Sequence, residues 1–188
     1  MADRWDAIVV AGGRGSRLGG VSKPELVVGG STLLERALDA VAGAASVVVV
    51  GGPRAEGVRW TVEEPAGGGP AAAVAAGIAE LAREREPAPV TAVLGVDTPL
   101  AGEVLPPLLD AAADDRGAWA VDAGGFAQQL LAVYPTSMLA ERCTGDLAGT
   151  SLRRLVEGIP MAGLSASGDL ARDLDTREDE DYWKERLG

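Results

Sequence analysis

The sequence AIVVAGGRGSRLGGVSKPEL, residues 7–26, opens with the apolar run Ala7–Ala11 and continues with glycine, serine and arginine. The run is short, contains β-branched residues and stops at Gly12, which is typical of a buried strand. The glycines that follow favour an open loop, because glycine adopts backbone conformations that other residues avoid. The stretch therefore predicts the first strand of an α/β sheet, followed by a long loop.

This loop has the composition of an anion-binding site. Because glycine has no Cβ, its bare backbone N–H groups can approach phosphate oxygens closely. Arg14, Arg17 and Lys23 add positive charge to the same stretch. We predict that the loop binds a triphosphate; a glycine-rich surface loop without a ligand is the plainer alternative.

Two common phosphate-binding loops do not fit this stretch. A Walker loop needs Gly-Lys followed by Ser or Thr, whereas Lys23 follows Ser22 and precedes Pro24. A dinucleotide-binding loop needs the spacing G-x-G-x-x-G with a helix directly after it. Pro24 instead disfavours helical backbone at Lys23. A long loop that ends in a lysine is therefore a third arrangement.

This third arrangement resembles a known signature. Residues 11–26, AGGRGSRLGGVSKPEL, are similar to L-A-G-G-x-S-x-R-M-G-x-D-K-x-x-L of nucleotidyltransferases that activate sugars and cofactors. Among them the chain resembles the molybdenum cofactor guanylyltransferase (MobA) family, with Leu18 for the family's Met and Ser22 for its Asp. The resemblance implies a single nucleotidyltransferase domain over residues 1–188. It also implies a three-layer, Rossmann-like α/β fold with a mostly parallel sheet that contains an antiparallel strand.

The resemblance also implies roles for residues of the loop. Arg17 and Lys23 are implied to be catalytic, because fixed positive charge stabilises the negative charge that develops on phosphate oxygens. The nucleotide-binding residues implied here are Ala11, Gly12, Gly13, Arg14, Gly15, Ser16 and Lys23.

Composition narrows the chemistry further. The 188 residues include no histidine and one cysteine, Cys143, which excludes Ser-His-Asp catalysis, histidine-ligated metals and an internal disulfide. The net charge of −11 argues against nonspecific binding to nucleic acids or anionic membranes. No apolar run is long enough to span a bilayer, and the N-terminal MADRWD is not a signal peptide, so we expect a cytoplasmic location.

Apolar periodicity predicts the remaining elements. A capping box at Ser31 or Thr32 opens the first helix, and the apolar run SVVVVGG predicts a parallel strand buried on both faces. The later elements are predicted as a strand at 58–62, a helix from Pro70, a strand ending in Asp97, a helix from Pro106, two strands around a turn within 117–134, and a last helix over 176–187. The resemblance to the family implies that the two strands within 117–134 form an antiparallel pair at the sheet edge.

Asp97 is the strongest candidate for a metal ligand and a catalytic residue. It stands at the end of an apolar strand, in VLGVDTPL, where the sheet holds it rigidly. Mg²⁺ is bound by a few carboxylates together with phosphate oxygens. The segment resembles the family's metal-binding turn C-D-x-P, with Val96 in place of the cysteine. The alternative is that Asp97 simply forms the turn before Pro99.

A second metal ligand is implied near the start of the last helix. ARDLDTREDEDYW, residues 171–183, resembles the family's D-x-D-T-P-E-D-L, with Arg177 in place of proline and Glu180 in place of leucine. Asp175 matches the position that meets the metal, and Asp173 is its neighbour. The alternative is that Asp175 or Thr176 only caps the helix.

The segment GGGPAAAVAAGI, residues 67–78, resembles the family's G-P-L-A-G-I. In relatives an acidic residue several positions upstream contacts guanine, and Glu63 and Glu64 are the candidates here, with Gly69 also implied to contact the nucleotide. A carboxylate accepts from both N1–H and the exocyclic amine of guanine, a pair that adenine does not offer. For either glutamate the alternative is a solvated side chain on a loop.

The resemblance implies transfer of GMP from GTP to molybdopterin, with Mg²⁺ as cofactor and release of pyrophosphate. The phosphate of the acceptor is already ionised, so no side-chain general base is required, which suits a chain without histidine. The alternatives are a related cytidylyltransferase, another cofactor or sugar nucleotidyltransferase, or a nucleotide-binding module without turnover. The turn near Gly124 and the pair Gln128–Gln129 are candidate contacts for the acceptor; the oligomeric state stays open.

Overall fold

The computed structural model describes residues 4–12 and 22–188. The predictions for Gly13, Arg14, Gly15, Ser16 and Arg17 lie outside these residues. The strands in this part of the chain are β1 Trp5–Val10, β2 Val27–Val28, β3 Ser31–Thr32, β4 Val47–Val50, β5 Arg59–Thr61, β6 Val90–Gly95, β7 Gly117–Val121, β8 Ala127–Pro135 and β9 Met161–Ser165. The α-helices are α1 Leu33–Ala40, α2 Pro70–Leu81, α3 Ala101–Ala111, α4 Thr136–Arg142, α5 Leu152–Leu155 and α6 Arg177–Leu187.

Seven of these strands form one sheet, in the order β5-β4-β1-β6-β8-β7-β9. β5, β4, β1 and β6 are mutually parallel, β8 runs antiparallel to β6 and to β7, and β9 is parallel to β7. The sheet is thus mostly parallel with one antiparallel strand, as predicted. β2 and β3 form a separate two-stranded hairpin.

β7 and β8 pair with each other as predicted, but they do not lie at the edge of the sheet. β8 is inserted between β6 and β7, and β9 forms the edge. The reason is visible in the burial of β8, whose last residues, Leu131–Pro135, are all buried. An apolar segment covered on both faces belongs in the interior of a sheet, so the prediction of an edge position was wrong.

Helices cover both faces of this sheet, which gives the three layers that were expected. The side chains of β1 alternate: Ala7 and Val9 join the core under α1, α3 and α6, whereas Ile8 and Val10 join the core under α2, α4 and α5. The period of two follows from the pleat of a strand. Burial on both faces explains why β1 is apolar throughout from Ala7 onwards.

Helix α2 begins at Pro70, as predicted, and packs closely on the sheet. Its residue Gly77 faces Ile8 of β1, and a Cβ added at Gly77 would lie 2.7 Å from Ile8 Cγ2. The lack of a side chain at Gly77 therefore allows the helix to lie this close to the sheet.

The predicted start of the next helix at Pro106 was wrong. Helix α3 begins at Ala101 and contains Pro106 and Pro107 in its interior. Both prolines are exposed, as are Gly102 and Glu103, whose carbonyl groups lose their helical hydrogen bonds to the prolines. Because these carbonyls lie on the solvent side, water can bind them, and the buried side of the helix continues undisturbed.

The terminal helix α6 begins after Thr176, which caps it. Thr176 Oγ1 accepts from the Asp179 N–H, and the Asp179 carboxylate accepts from the Thr176 N–H at 3.0 Å. The helix is anchored by Trp183, which is fully buried. None of the helices in the described ranges has both the length and the apolar character needed to cross a bilayer.

Candidate functional site

The carboxyl ends of four parallel strands meet at one edge of the sheet. Gly12 follows β1, Gly51 follows β4, Glu63 lies just beyond β5, and Asp97 lies just beyond β6. Open α/β sheets bind their ligands at this edge. Gly12, Glu63 and Asp97, three residues singled out from the sequence, thus lie along the edge where a ligand site is expected.

Gly12 and Gly51 form a close backbone contact at this edge. Gly51 has φ +71°, and a Cβ added there would lie 2.7 Å from Gly12 Cα, so only glycine fits. The N–H groups of Ala11 and Gly12 both donate to the Val50 carbonyl, at 2.9 and 3.1 Å. Both N–H groups are therefore engaged within the protein, and in this arrangement neither is left to bind a phosphate oxygen.

Lys23 joins the two acidic segments of the site. Its Nζ atom lies 3.2 Å from Asp97 Oδ2 and 2.5 Å from Asp175 Oδ1. The three side chains are 20%, 28% and 45% exposed, respectively, so solvent and ligands can reach them. The ammonium thus lies between two carboxylates that are far apart along the chain.

The charge of Lys23 is secured by these partners. Partial burial is the largest single influence and disfavours the ammonium. The charges and hydrogen bonds of Asp97 and Asp175 together outweigh it, so that the pKa of Lys23 is raised above its usual value. Lys23 is therefore a permanent cation at neutral pH.

Asp173 belongs to the same group, and two hydrogen bonds hold its segment against the end of β6. Thr98 Oγ1 donates to Asp173 Oδ1 at 3.1 Å, and the Leu174 N–H donates to the Asp97 carbonyl at 2.7 Å. The protein packed around the Asp173 carboxylate, followed by the negative charge of Asp97, raises the pKa of Asp173 to about 6, although the residue as a whole is exposed. Three carboxylates in one place thus repel one another in spite of Lys23.

These carboxylates fit a divalent cation that is shared with a phosphate. Asp97, Asp173 and Asp175 offer the hard oxygen donors that Mg²⁺ prefers, and Mg²⁺ needs only one or two of them beside phosphate oxygens and water. Within residues 4–12 and 22–188, no three acidic or cysteine side chains are arranged to hold a metal ion by themselves. The donor set suits a metal that arrives with its substrate, and it does not form a protein-only metal site.

Glu63 presents a buried carboxylate at the other end of the sheet edge. The residue is 8% exposed, and its Oε1 atom accepts from the Gly67 N–H at 3.0 Å. Its Oε2 atom is buried and has no hydrogen-bond partner in the described part of the chain. Glu64, the other candidate, is exposed. A buried acceptor without a partner is costly unless a ligand supplies a donor.

Asp97, Asp173 and Asp175 are called the acidic group below. A small cavity of about 260 Å³ opens beside it. Asp97, Thr98 and Asp173 line one part of it, and Pro70, at the start of α2, lines another. Gly69, which precedes Pro70, caps the helix with φ +96°. The loop from Glu63 to Gly69 therefore leads directly to the space in front of Asp97.

Residues 7–164 match the family model of the MobA-like NTP transferase domain. The chain belongs to this family. Transferases of this family generally use a divalent metal ion, in agreement with the carboxylate donors described above. The matched range contains Lys23, Glu63 and Asp97 and ends before Asp175.

Solved structures share the fold of this transferase. A nucleotidyl transferase from Methanothermobacter thermautotroptrophicus has a TM-score of 0.76 and 20% identity, over 98% of both chains. Molybdopterin-guanine dinucleotide biosynthesis protein A from Archaeoglobus fulgidus has a TM-score of 0.68 and 18% identity, over 96% of this chain and 97% of that one. A 2-C-methyl-D-erythritol 4-phosphate cytidylyltransferase from Thermus thermophilus has a TM-score of 0.65 and 20% identity, over 95% of this chain and 96% of that one.

At these identities the likeness shows the fold alone, and the named relatives differ in substrate. A comparison with curated protein sequences gives no match. The comparisons therefore leave the nucleobase and the acceptor of this transferase open.

The transferase brings together residues that the sequence had selected from three separate motifs: Lys23, Asp97 and Asp175. The bond between Thr98 and Asp173 was not predicted. Its only sequence signal is a hydroxyl residue directly after Asp97, which is too common to be informative. In the last motif the helix cap is Thr176 and not Asp175. The Asp175 carboxylate instead contacts Lys23.

Proposed function

We propose that this chain transfers GMP from GTP to molybdopterin and releases pyrophosphate. The observation that carries the choice of base is the Glu63 carboxylate, which is buried and has an oxygen without a partner in the described part of the chain. Lys23 and the carboxylates around it support the binding of a triphosphate together with a divalent cation. Molybdopterin is proposed as the acceptor because the Archaeoglobus relative is named for the biosynthesis of molybdopterin-guanine dinucleotide.

Glu63 suits guanine better than the other bases. Guanine offers two adjacent donors, N1–H and the exocyclic amine, to the two oxygens of one carboxylate. Adenine has an acceptor in place of N1–H, and cytosine has an acceptor beside its amine. A carboxylate that faces either of those bases would leave an acceptor opposed to an acceptor, which is unfavourable in a buried site. We assign Glu63 rather than Glu64, because Glu64 is exposed.

Positioning and charge neutralisation dominate this type of reaction. An oxygen of the acceptor phosphate attacks the α-phosphorus of GTP. The bond between the α-phosphorus and the bridging oxygen breaks, and its electron pair leaves with pyrophosphate. Lys23 is already charged in the free protein, so it binds triphosphate oxygens without taking up a proton. Mg²⁺ held by Asp97 and Asp175 would supply further neutralisation of the triphosphate when bound.

Binding and turnover can be tested separately. Ligands that bind the native state raise the apparent melting temperature according to their affinity, so GTP, CTP and ATP are compared by thermal shift, each with Mg²⁺. We expect GTP to give the largest shift. An equal shift with CTP would contradict the role of Glu63 and favour a cytidylyltransferase.

Turnover is measured as pyrophosphate release from GTP in the presence and absence of molybdopterin. We expect release that depends on both molybdopterin and Mg²⁺. GTP binding without any pyrophosphate release would contradict the proposed transfer and favour a nucleotide-binding module. Mn²⁺ in place of Mg²⁺ tests whether the carboxylate donors discriminate between hard divalent cations.

A further inference from the structure

A second, larger groove of about 830 Å³ adjoins the cavity beside Asp97. Gln129, Ser151 and Arg153 line both spaces. The two spaces are therefore neighbours, and together they are called the channel below; its inner part lies beside Asp97 and Asp173, and its outer part lies between β8 and α5. The larger volume is that of a site for a small organic ligand.

The outer part of this channel has an aromatic and apolar side, and Arg154 and Glu157 are charged residues that also line it. Trp119 of β7 and Phe126 of the β7–β8 turn line it together with Val156 and Ile159. Phe126, the single phenylalanine of the sequence, is 72% exposed, although phenylalanine side chains are usually buried. Aromatic faces of this kind stack on planar ring systems.

Arg153 stands where the inner and outer parts of the channel join. It lies on α5, whose Leu152 and Leu155 are buried in the core, so the backbone that carries Arg153 is fixed. Its guanidinium forms no hydrogen bond or ion pair with any residue in the described ranges, and the residue is exposed. Three acidic residues, Asp97, Asp173 and Glu157, also line the channel. Because Arg153 is paired with none of them in the described ranges, its guanidinium is suited to bind an anion.

We propose that this channel binds the acceptor, with its phosphate at Arg153 and its planar ring system against Trp119 and Phe126. The ligand class is a phosphate monoester that carries a fused heterocycle, which a pterin phosphate satisfies. The inner cavity then holds the attacking phosphate in front of Asp97. Gln129, whose Nε2 atom donates to the Ala127 carbonyl at 2.9 Å, keeps its amide oxygen for a donor of the ring. The assignment rests on the proposed function.

The test compares steady-state constants for the two substrates. Arg153→Ala and Phe126→Ala should raise the KM for molybdopterin by about 10- to 100-fold, the effect of losing a charged hydrogen bond or a stacked aromatic ring. The KM for GTP and the thermal shift by GTP should stay unchanged in Phe126→Ala, because Phe126 lines only the outer part of the channel. In Arg153→Ala the KM for GTP should change less than the KM for molybdopterin, because Arg153 also lines the cavity beside Asp97. Arg153→Lys should recover part of the loss, since it restores the charge without the planar fork.

Arg116→Ala is the matched control: Arg116 is also exposed but lines neither part of the channel, and we expect it to behave as wild type. An unchanged KM for molybdopterin in both channel variants would overturn the assignment while leaving the proposed function intact. Absence of product from the wild-type protein with molybdopterin would instead overturn the proposed function, and this assignment with it.

Discussion

The ammonium of Lys23 lies 3.2 Å from the Asp97 carboxylate, although 74 residues separate them along the chain. The contact joins the end of the glycine-rich stretch to the end of β6. Both side chains are partly exposed in this arrangement, 20% for Lys23 and 28% for Asp97. Neither belongs to the apolar core, so both can be changed without disturbing the packing of the sheet.

The first prediction concerns this pair. Lys23→Ala and Asp97→Asn should each lower the rate of pyrophosphate release by roughly 10²- to 10³-fold, the usual cost of losing one electrostatic contact to the transition state. The secondary structure measured by circular dichroism should stay unchanged. Lys184→Ala, at the only other lysine of the sequence, is the control and should retain full activity. Wild-type rates in either site variant would rule out the assigned roles.

The second prediction concerns the base. Replacing the Glu63 carboxylate by an amide puts a donor where guanine also has donors, so Glu63→Gln should lower kcat/KM for GTP by about 10- to 100-fold. Inosine triphosphate lacks the exocyclic amine, so the wild type should prefer GTP over it and Glu63→Gln should narrow that preference. Glu64→Gln serves as the control because Glu64 is exposed. A preference that survives in Glu63→Gln would place base recognition elsewhere.

The third prediction concerns two helical glycines with opposite surroundings. Gly77→Ala forces a methyl group to within 2.7 Å of Ile8 Cγ2 and should lower the free energy of unfolding by about 1–3 kcal/mol. Gly102→Ala places its methyl group 3.5 Å from Ala40 Cβ, an ordinary contact on an exposed part of α3. It should raise the free energy of unfolding by about 0.5–1 kcal/mol. Urea unfolding of both variants measures the difference, and effects of equal sign would contradict it.

The fourth prediction concerns the capping box of α1. The Glu35 carboxylate accepts from the Thr32 N–H at 2.7 Å and from the Thr32 hydroxyl at 2.9 Å. These bonds lower the pKa of Glu35 below its usual value of 4.5. The ionised form therefore stabilises the folded state above pH 4.5, and this contribution is lost as the pH falls through the lowered pKa.

Urea midpoints at about pH 7 and about pH 2 test this linkage, because the two values lie on either side of the titration. Glu35→Gln should be less stable than the wild type at neutral pH, and the difference should disappear in acid. Glu103→Gln is the control, because Glu103 lies in the first turn of α3, where no side chain caps the helix. A difference that persists in acid would show that the carboxylate charge is not its cause.

Short-range signals explain how much of the fold was predictable. Neighbours in sequence determine the cap of α1, predicted as Ser31 or Thr32 and found to be Thr32. They also determine the helix start at Pro70 and the strand before Asp97, which were both predicted. The position of β8 was not, because the pairing partner of a strand depends on contacts between distant segments. The interior prolines of α3 were missed for a related reason: only the folded chain reveals that Gly102 and Glu103 face solvent.

The candidate site was predictable where a motif marks it. Lys23, Asp97 and Asp175 were selected from their motifs, and the structure brings them into contact. No sequence motif indicated a role for Arg153, because a pair of arginines, as in SLRRL, is typical of a solvated helix face. Its significance depends on the two spaces that meet beside it, which exist only after β7, β8 and α5 have packed together.

The hydrogen bond from the Leu174 N–H to the Asp97 carbonyl has a consequence for the order in which the protein is made. A ribosome synthesises the four parallel strands, Lys23 and Asp97 well before residues 173–175 emerge. A chain that ends at residue 172 contains every strand of the sheet, but it lacks two aspartates of the acidic group and the fully buried Leu174 and Trp183. We expect a chain interrupted before residue 173 to lack both a complete cation site and part of the core on one face of the sheet, so that turnover begins only after the last helix has been synthesised.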